Sequence, residues 1–348
     1  MGIIERLIRK NIAELTPYSS AREEYSGDAA VFLDANENPF DSGFNRYPDP
    51  LQLKLKVKLS QLKNLNYEKI FIGNGSDEPI DLLMRVFCEP GTDNIVSIKP
   101  TYGMYKVCAD INNIEFRECL LTKEYQLDKK TIFKSIDADT KLLFLCSPNN
   151  PTSNSFFRED IIYILEQFEG LVILDEAYID FSGQRSFLYL LNNYPNLVIL
   201  QTLSKAWGMA GIRMGMAFAS REIIGVLNKI KYPYNVNILT QRKAIDHLNN
   251  EEEKNTWVSF ILGQREYLRV LLNEFDFITE ILPSDANFLM IRVKEPKKLL
   301  TYLLNKKIIV RDRSKVPLCE GCLRITVGTK EENNALIKAL KDFNKGID

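Results

Sequence analysis

The sequence contains very little histidine: His247 is the only one among 348 residues. Histidine is the usual proton shuttle near neutral pH and a frequent metal ligand. With a single copy, serine–histidine triads and histidine-rich zinc sites are poorly supported. His247 stands in A-I-D-H-L-N-N at the end of a helical pattern, and we interpret it as a surface helix residue. If the protein is an enzyme, another group must move protons, and a lysine with a lowered pKa can do so.

Long apolar runs and an excess of one charge are also missing. No stretch of eighteen apolar residues occurs, so we expect no membrane span. Charges interrupt the N-terminal M-G-I-I-E-R-L-I-R-K, which is unlike a signal peptide, and we expect a cytoplasmic protein. The net charge is only -1. This balance favours neither nucleic acid nor an anionic membrane as a partner.

Cysteine is present but forms no framework. Four of the six cysteines are scattered in apolar contexts, and Cys319 and Cys322 form a single C-x-x-C. Without a second pair of ligands this motif is a weak signal for zinc or for redox chemistry. We therefore expect no metal.

Short, continuously apolar runs alternate with helical patterns through the middle of the chain. Such runs are typical of strands that are covered on both faces. They are I-F-I-G, N-I-V-S-I, K-L-L-F-L, L-V-I-L and L-V-I-L-Q-T, starting at residues 70, 94, 141, 171 and 197. Because helical patterns lie between several of them, the sequence predicts an α/β domain with a mostly parallel sheet flanked by helices.

The pattern changes after about residue 240. A charged helical stretch covers residues 249–275, and two strand-like runs and a final helix follow it. This order predicts a second, smaller α+β domain. A chain of this length also favours two domains. We place an N-terminal arm that contributes to the small domain and the active site at 1–44, a large domain at 45–247 and the small domain at 248–348.

Polar side chains follow the predicted strands. Ligands of open parallel sheets bind beyond the carboxyl ends of the strands, so we expect these side chains to meet at one edge. An amide, a carboxylate, a phenol, hydroxyls, an amine and a guanidinium are all represented. The residues are Ser76, Asp77, Tyr102, Asn150, Asp175, Tyr178, Ser204, Lys205 and Arg213.

Taken together, these groups suit pyridoxal phosphate. The turn G-N-G-S-D opens a helix whose free N–H groups favour a phosphate, and Ser204 and Arg213 can bind the same phosphate. A lysine beside Arg213 has its free amine favoured, so Lys205 can form a Schiff base with an aldehyde. Asp175 can pair with a protonated pyridine nitrogen.

Aromatic and amide side chains supply the remaining contacts. Tyr102 can stack on a planar ring, and Asn150 and Tyr178 can donate hydrogen bonds to a ring oxygen. Each residue alone also has an ordinary role, as a turn residue, a helix cap, a core aromatic or a solvated lysine. A nucleotide site at G-N-G-S-D is disfavoured because the pattern G-x-x-x-x-G-K is absent there.

Three segments carry a family resemblance. T-L-S-K-A-W-G-M-A-G-I-R-M-G from Thr202 closely resembles the lysine motif of the fold-type I aminotransferases, which use pyridoxal phosphate, and S-P-N-N-P-T and L-D-E-A-Y occur in the expected order. Further segments are similar to the histidinol-phosphate aminotransferases over nearly the whole chain. These are L-T-P-Y, L-D-A-N-E-N-P, R-Y-P, G-N-G-S-D-E, P-T-Y-G-M-Y, V-R-D-R and C-L-R-I-T-V-G-T.

The resemblance implies a role for each matching residue. Lys205 would carry the cofactor and move the proton, Asp175 would hold the ring nitrogen, and Tyr102, Asn150 and Tyr178 would contact the ring and its oxygen. The cofactor phosphate would be surrounded by Ser76, Asp77, Thr202, Ser204 and Arg213. Tyr47 would reach the phosphate of the neighbouring subunit, which implies a homodimer with shared sites. Arg324 would bind the substrate anion, and the rest of the substrate pocket would comprise Arg311, Tyr18, Asn36 and Tyr234.

The implied reaction converts histidinol phosphate and 2-oxoglutarate to imidazole acetol phosphate and glutamate, in histidine biosynthesis. Alternatives on the same fold are an aromatic amino-acid aminotransferase, a phosphothreonine-type decarboxylase, and a regulatory binding protein without turnover. The chain departs from the family at Ser153, where glycine usually follows N-P-T. A Cβ at this turn is expected to shift the backbone.

Overall fold

The structure is a computed structural model that describes residues 2–19 and 31–345. The remaining residues of the predicted arm and small domain lie outside the described ranges. Its helices are α1 (Ile3–Leu7), α2 (Lys10–Ala13), α3 (Leu53–Lys63), α4 (Asp77–Phe87), α5 (Met104–Ile111), α6 (Lys129–Lys134), α7 (Arg158–Gln167), α8 (Arg221–Ile230), α9 (Ile238–Leu248), α10 (Glu251–Leu272), α11 (Pro296–Asn305) and α12 (Lys330–Lys345).

Seven strands form the larger of the two sheets. They are β1 (Ile70–Asn74), β2 (Asn94–Lys99), β3 (Glu115–Leu120), β4 (Thr140–Cys146), β5 (Leu171–Asp175), β6 (Leu197–Thr202) and β7 (Met214–Phe218). Their order is β1-β7-β6-β5-β4-β2-β3. All neighbours pair in parallel except β7, which is antiparallel to β1 and β6. The five predicted apolar runs are all strands of this sheet.

The two faces of this sheet bury different apolar clusters. Along β5, Val172 and Leu174 face one cluster, whereas Leu171 and Ile173 face the other. This alternation follows from the two-residue period of a strand. It places Asp175, the last residue of β5, on the same face as Leu171 and Ile173.

The smaller sheet is antiparallel and has the order β10-β11-β9-β8. Its strands are β8 (Ile278–Ile281), β9 (Phe288–Val293), β10 (Arg311–Asp312) and β11 (Cys322–Thr326). A separate apolar cluster joins β9 and β11 to α10, α11 and α12. The predicted fold class is thus confirmed: a mostly parallel sheet with flanking helices, together with a smaller α+β unit.

Other features of the described residues bear on the earlier expectations. None of their helices combines the length and apolar character needed to cross a membrane. All six cysteines are free and buried. His247 lies in the last turn of α9, half-buried and outside the cleft described below.

Candidate active site

A cleft opens at the carboxyl ends of the parallel strands, with a cavity volume of about 160 Å³. Nine of the residues predicted to bind a cofactor line it, and they lie at or shortly after the carboxyl ends of five different strands. These residues are Ser76, Asp77, Tyr102, Asn150, Asp175, Tyr178, Thr202, Ser204 and Lys205, and Arg213 joins them from the turn before β7. The structure therefore brings together side chains that are up to 137 positions apart in the chain.

One end of the cleft is built by two loops that meet through their backbones. The N–H of Gly75 donates to the carbonyl of Arg213 at 2.8 Å, and both residues have a positive φ, +72° and +55° respectively. A Cβ on Gly75 would lie 2.8 Å from Nη2 of Arg213, and one on Gly215 would lie 2.2 Å from the backbone nitrogen of Ser76. Glycine is required at position 215 because the backbone of Ser76 is so close, whereas at position 75 the positive φ would strain any side chain.

Donors for an anion converge at this end. Helix α4 begins at Asp77, and the side chain of Ser76 makes no capping hydrogen bond. The hydroxyl of Thr202 donates to Oγ of Ser204 at 3.0 Å, and Arg213 Nη2 lies 3.6 Å from a carboxylate oxygen of Asp77. Helix N-termini, hydroxyls and guanidinium groups are the donors that phosphate prefers.

Asp175 lies at the buried centre of the cleft. Its carboxylate accepts a hydrogen bond from the phenol of Tyr105 at 2.7 Å and another from the backbone N–H of Ala177 at 3.0 Å. Burial raises the pKa of Asp175 to about 6, and the Tyr105 hydrogen bond opposes this rise. The sequence analysis missed Tyr105, although it belongs to the quoted segment P-T-Y-G-M-Y. The available signal was its place three residues after Tyr102, near the start of α5.

Lys205 is half-buried, and its amine lies 5.5 Å from the centre of the Tyr178 ring. Burial lowers the pKa of Lys205, and the positive charge of Arg324 lowers it further, while Asp175 opposes the change. Arg213, the cation that the sequence analysis invoked, has a smaller effect in the same direction. The surroundings therefore favour the free amine, as a nucleophile or a base requires.

A chain of hydrogen bonds connects the cleft to the small sheet. Asn150 donates from Nδ2 to the phenol oxygen of Tyr178 at 3.4 Å, and Arg324 of β11 donates to Oδ1 of Asn150. The guanidinium of Arg324 also lies 5.2 Å from the centre of the Phe288 ring. Arg324 belongs to the small sheet and contacts Asn150, a residue predicted to bind the cofactor. It therefore links the small sheet to the cleft of the large sheet.

The remaining predicted substrate residues are spread more widely. Arg311 is the cross-strand partner of Arg324. Tyr234 stacks on Tyr47 with ring centres 4.4 Å apart. Tyr18 and Asn36 are exposed and do not line the cleft of this chain. The structure thus gives contacts for Arg311 and Tyr234. The substrate-binding roles of all four residues remain predictions.

Ser153 keeps the left-handed backbone that glycine usually provides, with φ +67°. Its buried hydroxyl donates to the carbonyl of Pro283 at 2.9 Å, and its own carbonyl accepts from the N–H of Asp285 at 2.7 Å. Ser153 thus adopts a left-handed conformation despite its Cβ, and its hydrogen bonds link the loop to the segment before β9.

The donor set fits pyridoxal phosphate. A cradle of glycine backbone, hydroxyls and Arg213 suits its phosphate, and the buried Asp175 suits a protonated ring nitrogen. Lys205 supplies the amine that binds an aldehyde. Among the described residues, no group of His, Cys, Asp and Glu side chains is arranged to hold a metal ion.

In sequence, this chain is similar to known aminotransferases. The family model described as aminotransferase class I and II matches residues 24–340. The histidinol-phosphate aminotransferase of Parabacteroides distasonis is 56% identical over 99% of each chain.

Two solved structures are also similar. The histidinol-phosphate aminotransferase of Clostridium acetobutylicum is 25% identical, with a TM-score of 0.80 over 87% of this chain and 92% of that one. The enzyme of the same name from Sinorhizobium meliloti, solved with pyridoxal-5'-phosphate, is 20% identical over 87% of this chain and 84% of that one. With a TM-score of 0.79, that second structure shares the fold.

Proposed function

This chain belongs to the histidinol-phosphate aminotransferase family within the class I and II aminotransferases, and on that premise we propose how its cleft works. The activity is transamination: histidinol phosphate and 2-oxoglutarate are converted to imidazole acetol phosphate and glutamate, in histidine biosynthesis. The observation that carries the proposal is one cleft that holds a lysine with a lowered pKa, a buried carboxylate and a phosphate cradle.

Pyridoxal phosphate, when bound, supplies an electron sink that stabilises negative charge at the substrate Cα. Ser76, Thr202, Ser204 and Arg213 would bind its phosphate. Asp175, as a carboxylate, would hold the proton on the ring nitrogen, because a negative charge beside that nitrogen favours its protonated form.

Lys205 has two tasks in this proposal. Its amine anchors the cofactor when no substrate is bound, and it moves a proton to and from the substrate Cα when released. Both tasks need a neutral amine, and burial and Arg324 favour that form. Tyr178 and Asn150 orient the ring oxygen, and the 3.4 Å contact between them sets their spacing.

We further propose that the active unit is a homodimer in which Tyr47 reaches the neighbouring site. Large apolar side chains of the N-terminal segment are exposed in the single chain, including Leu33 at 90% and Phe40 at 81%. Several large apolar side chains exposed in one segment are consistent with a protein interface. The division into an arm at 1–44, a large domain at 45–247 and a small domain at 248–348 is retained as part of this proposal.

The test is a substrate panel on the purified protein. Histidinol phosphate, phenylalanine and O-phosphothreonine are each supplied with 2-oxoglutarate, and glutamate and carbon dioxide are measured. The proposal predicts the highest kcat/KM for histidinol phosphate. It also predicts that no carbon dioxide is released from O-phosphothreonine. A higher kcat/KM for phenylalanine, or decarboxylation of phosphothreonine, contradicts it.

A further inference from the structure

Three arginines share one face of the small sheet. Arg311 of β10 is directly opposite Arg324 of β11. The N–H of Arg313 donates to the carbonyl of Cys322 at 3.0 Å, which extends the same ladder by one pair. Because side chains alternate along a strand, Arg313 projects from the same face as Arg311. The role assigned to Arg311 and Arg324 above does not include Arg313.

This arrangement is unfavourable by itself. Like charges opposite each other on paired strands are destabilising. Burial lowers the pKa of Arg313, and the positive charges of Arg324 and Arg311 lower it further. Within residues 2–19 and 31–345, none of the three guanidinium groups forms a salt bridge. An anion from outside the chain would relieve this repulsion.

Arg313 also has a donor that nothing satisfies. Its Nε is buried and has no hydrogen-bond partner among the described residues. A buried donor on a charged group is costly when left unpaired, and such groups are rare in folded proteins. The unpaired N–H of Arg313 Nε is explained if a bound ligand accepts its hydrogen bond.

The three arginines adjoin the cofactor cleft. Arg324 donates to Asn150, which lines the cleft. The positive charge of Arg313 opposes the rise in the pKa of Tyr178, another lining residue, that burial causes. An anion held by Arg313 and Arg324 would therefore belong to a molecule whose other end reaches Lys205.

We propose that Arg313 is a specificity-determining residue that, with Arg311 and Arg324, binds the phosphate of a phosphate monoester substrate. A phosphate carries two negative charges and three free oxygens, whereas a carboxylate carries one charge and two oxygens. Guanidinium groups match both geometries. The carboxylate of glutamate therefore does not need a third guanidinium, whereas the phosphate of histidinol phosphate can bind to it. This inference rests on the proposed function and extends it to a residue that the family resemblance did not assign.

The experiment compares Arg313→Gln and Arg313→Lys with Lys315→Gln, all as cofactor-loaded protein. Lys315 is an exposed cation two residues away, so its replacement removes the same charge from the same loop. Calorimetry measures the Kd for inorganic phosphate, and kinetics give the KM for histidinol phosphate and for glutamate. Unchanged circular dichroism and visible absorbance establish that each variant is folded and loaded.

We expect Arg313→Gln to raise the Kd for phosphate and the KM for histidinol phosphate at least about tenfold, because a charge-assisted hydrogen bond is lost. The KM for glutamate should change less than about threefold. Arg313→Lys keeps the positive charge, so it serves as a second test if Arg313→Gln does not fold. It should weaken phosphate binding to a smaller degree. Lys315→Gln should leave all three constants within about twofold of wild type.

Two results overturn the inference: phosphate binding by Arg313→Gln within about twofold of wild type, or equal losses for histidinol phosphate and glutamate. A wild-type protein that binds no phosphate also overturns it. If the wild type binds phosphate but does not transaminate histidinol phosphate, the proposed function fails while the anion site stands.

Discussion

The phenol of Tyr105 donates a 2.7 Å hydrogen bond to the carboxylate of Asp175, and both side chains are buried. Tyr105 lies on α5 and Asp175 ends β5, and the two meet because both face the same apolar cluster of the large sheet. The hydrogen bond fixes the orientation of the carboxylate and opposes the rise in its pKa that burial causes. Tyr105 therefore acts as a positioning residue for the proposed cofactor contact.

Replacing Tyr105 with phenylalanine should weaken cofactor binding. The Asp175 carboxylate would lose its side-chain donor, and a hydrogen bond to a charged group contributes about 1.5–3 kcal/mol. We expect the Kd for pyridoxal phosphate, measured by fluorescence titration, to rise about tenfold. Tyr194→Phe is the matched control, because it removes a phenol–carboxylate bond of 3.1 Å to Glu166 outside the cleft. Equal cofactor affinity in the two variants contradicts the positioning role.

The raised pKa of Asp175 predicts a pH-dependent stability of the cofactor-free protein. With a folded pKa of about 6 against an ordinary value of 3.8, only the folded form keeps the proton between about pH 4 and pH 6. The free energy of unfolding should therefore fall as the pH rises through this window, by about 3 kcal/mol in total. Below the window both forms are protonated, and above it both are ionised.

Asp175→Asn removes this titration. Its stability relative to wild type should rise between about pH 4 and pH 6 and stay constant above, when urea unfolding is measured without cofactor. The same variant should lose transamination, because an amide carries no charge to hold the ring proton. Asp246→Asn, an exposed carboxylate on α9, serves as control. A stability difference that does not vary with pH is inconsistent with a buried, proton-binding Asp175.

Ser153 offers a test of local strain. A non-glycine residue in the left-handed region costs about 1–2 kcal/mol, and the hydroxyl bond to Pro283 returns about 0.5–1.5 kcal/mol. Ser153→Gly removes both effects and should change the free energy of unfolding by less than about 1 kcal/mol. Ser153→Ala keeps the strain and loses the bond. It should therefore be less stable than Ser153→Gly by about 1–2 kcal/mol in chemical denaturation; the opposite order contradicts this account.

Much of the large sheet could be predicted from sequence because its central strands are continuously apolar. β3 could not, since it is an edge strand in which charged residues such as Glu115 and Arg117 are tolerated. β7 is only five residues long, overlaps the last two residues of the lysine motif and contains glycine. Its antiparallel direction depends on tertiary pairing with β1 and β6, which no local pattern specifies.

The candidate site, like the large sheet, could be predicted only in part from the sequence. Residues that follow strands, such as Lys205 and Asp175, were predicted because the carboxyl edge of a parallel sheet collects them. Tyr105 was missed because helix packing, rather than a strand end, brings it to Asp175. The importance of Arg324 for the Lys205 amine was likewise hidden, because the small sheet must first be placed against the large one.

The central claim is that the amine of Lys205 binds the cofactor. The most direct measurement is borohydride reduction of the cofactor-loaded protein, followed by peptide mass mapping. The account predicts the pyridoxyl mass on the peptide that contains Lys205, and no stable label and no turnover in Lys205→Ala. A label on Lys254, whose amine lies 5.4 Å from the centre of the Trp207 ring in the same region, or turnover by Lys205→Ala would contradict it.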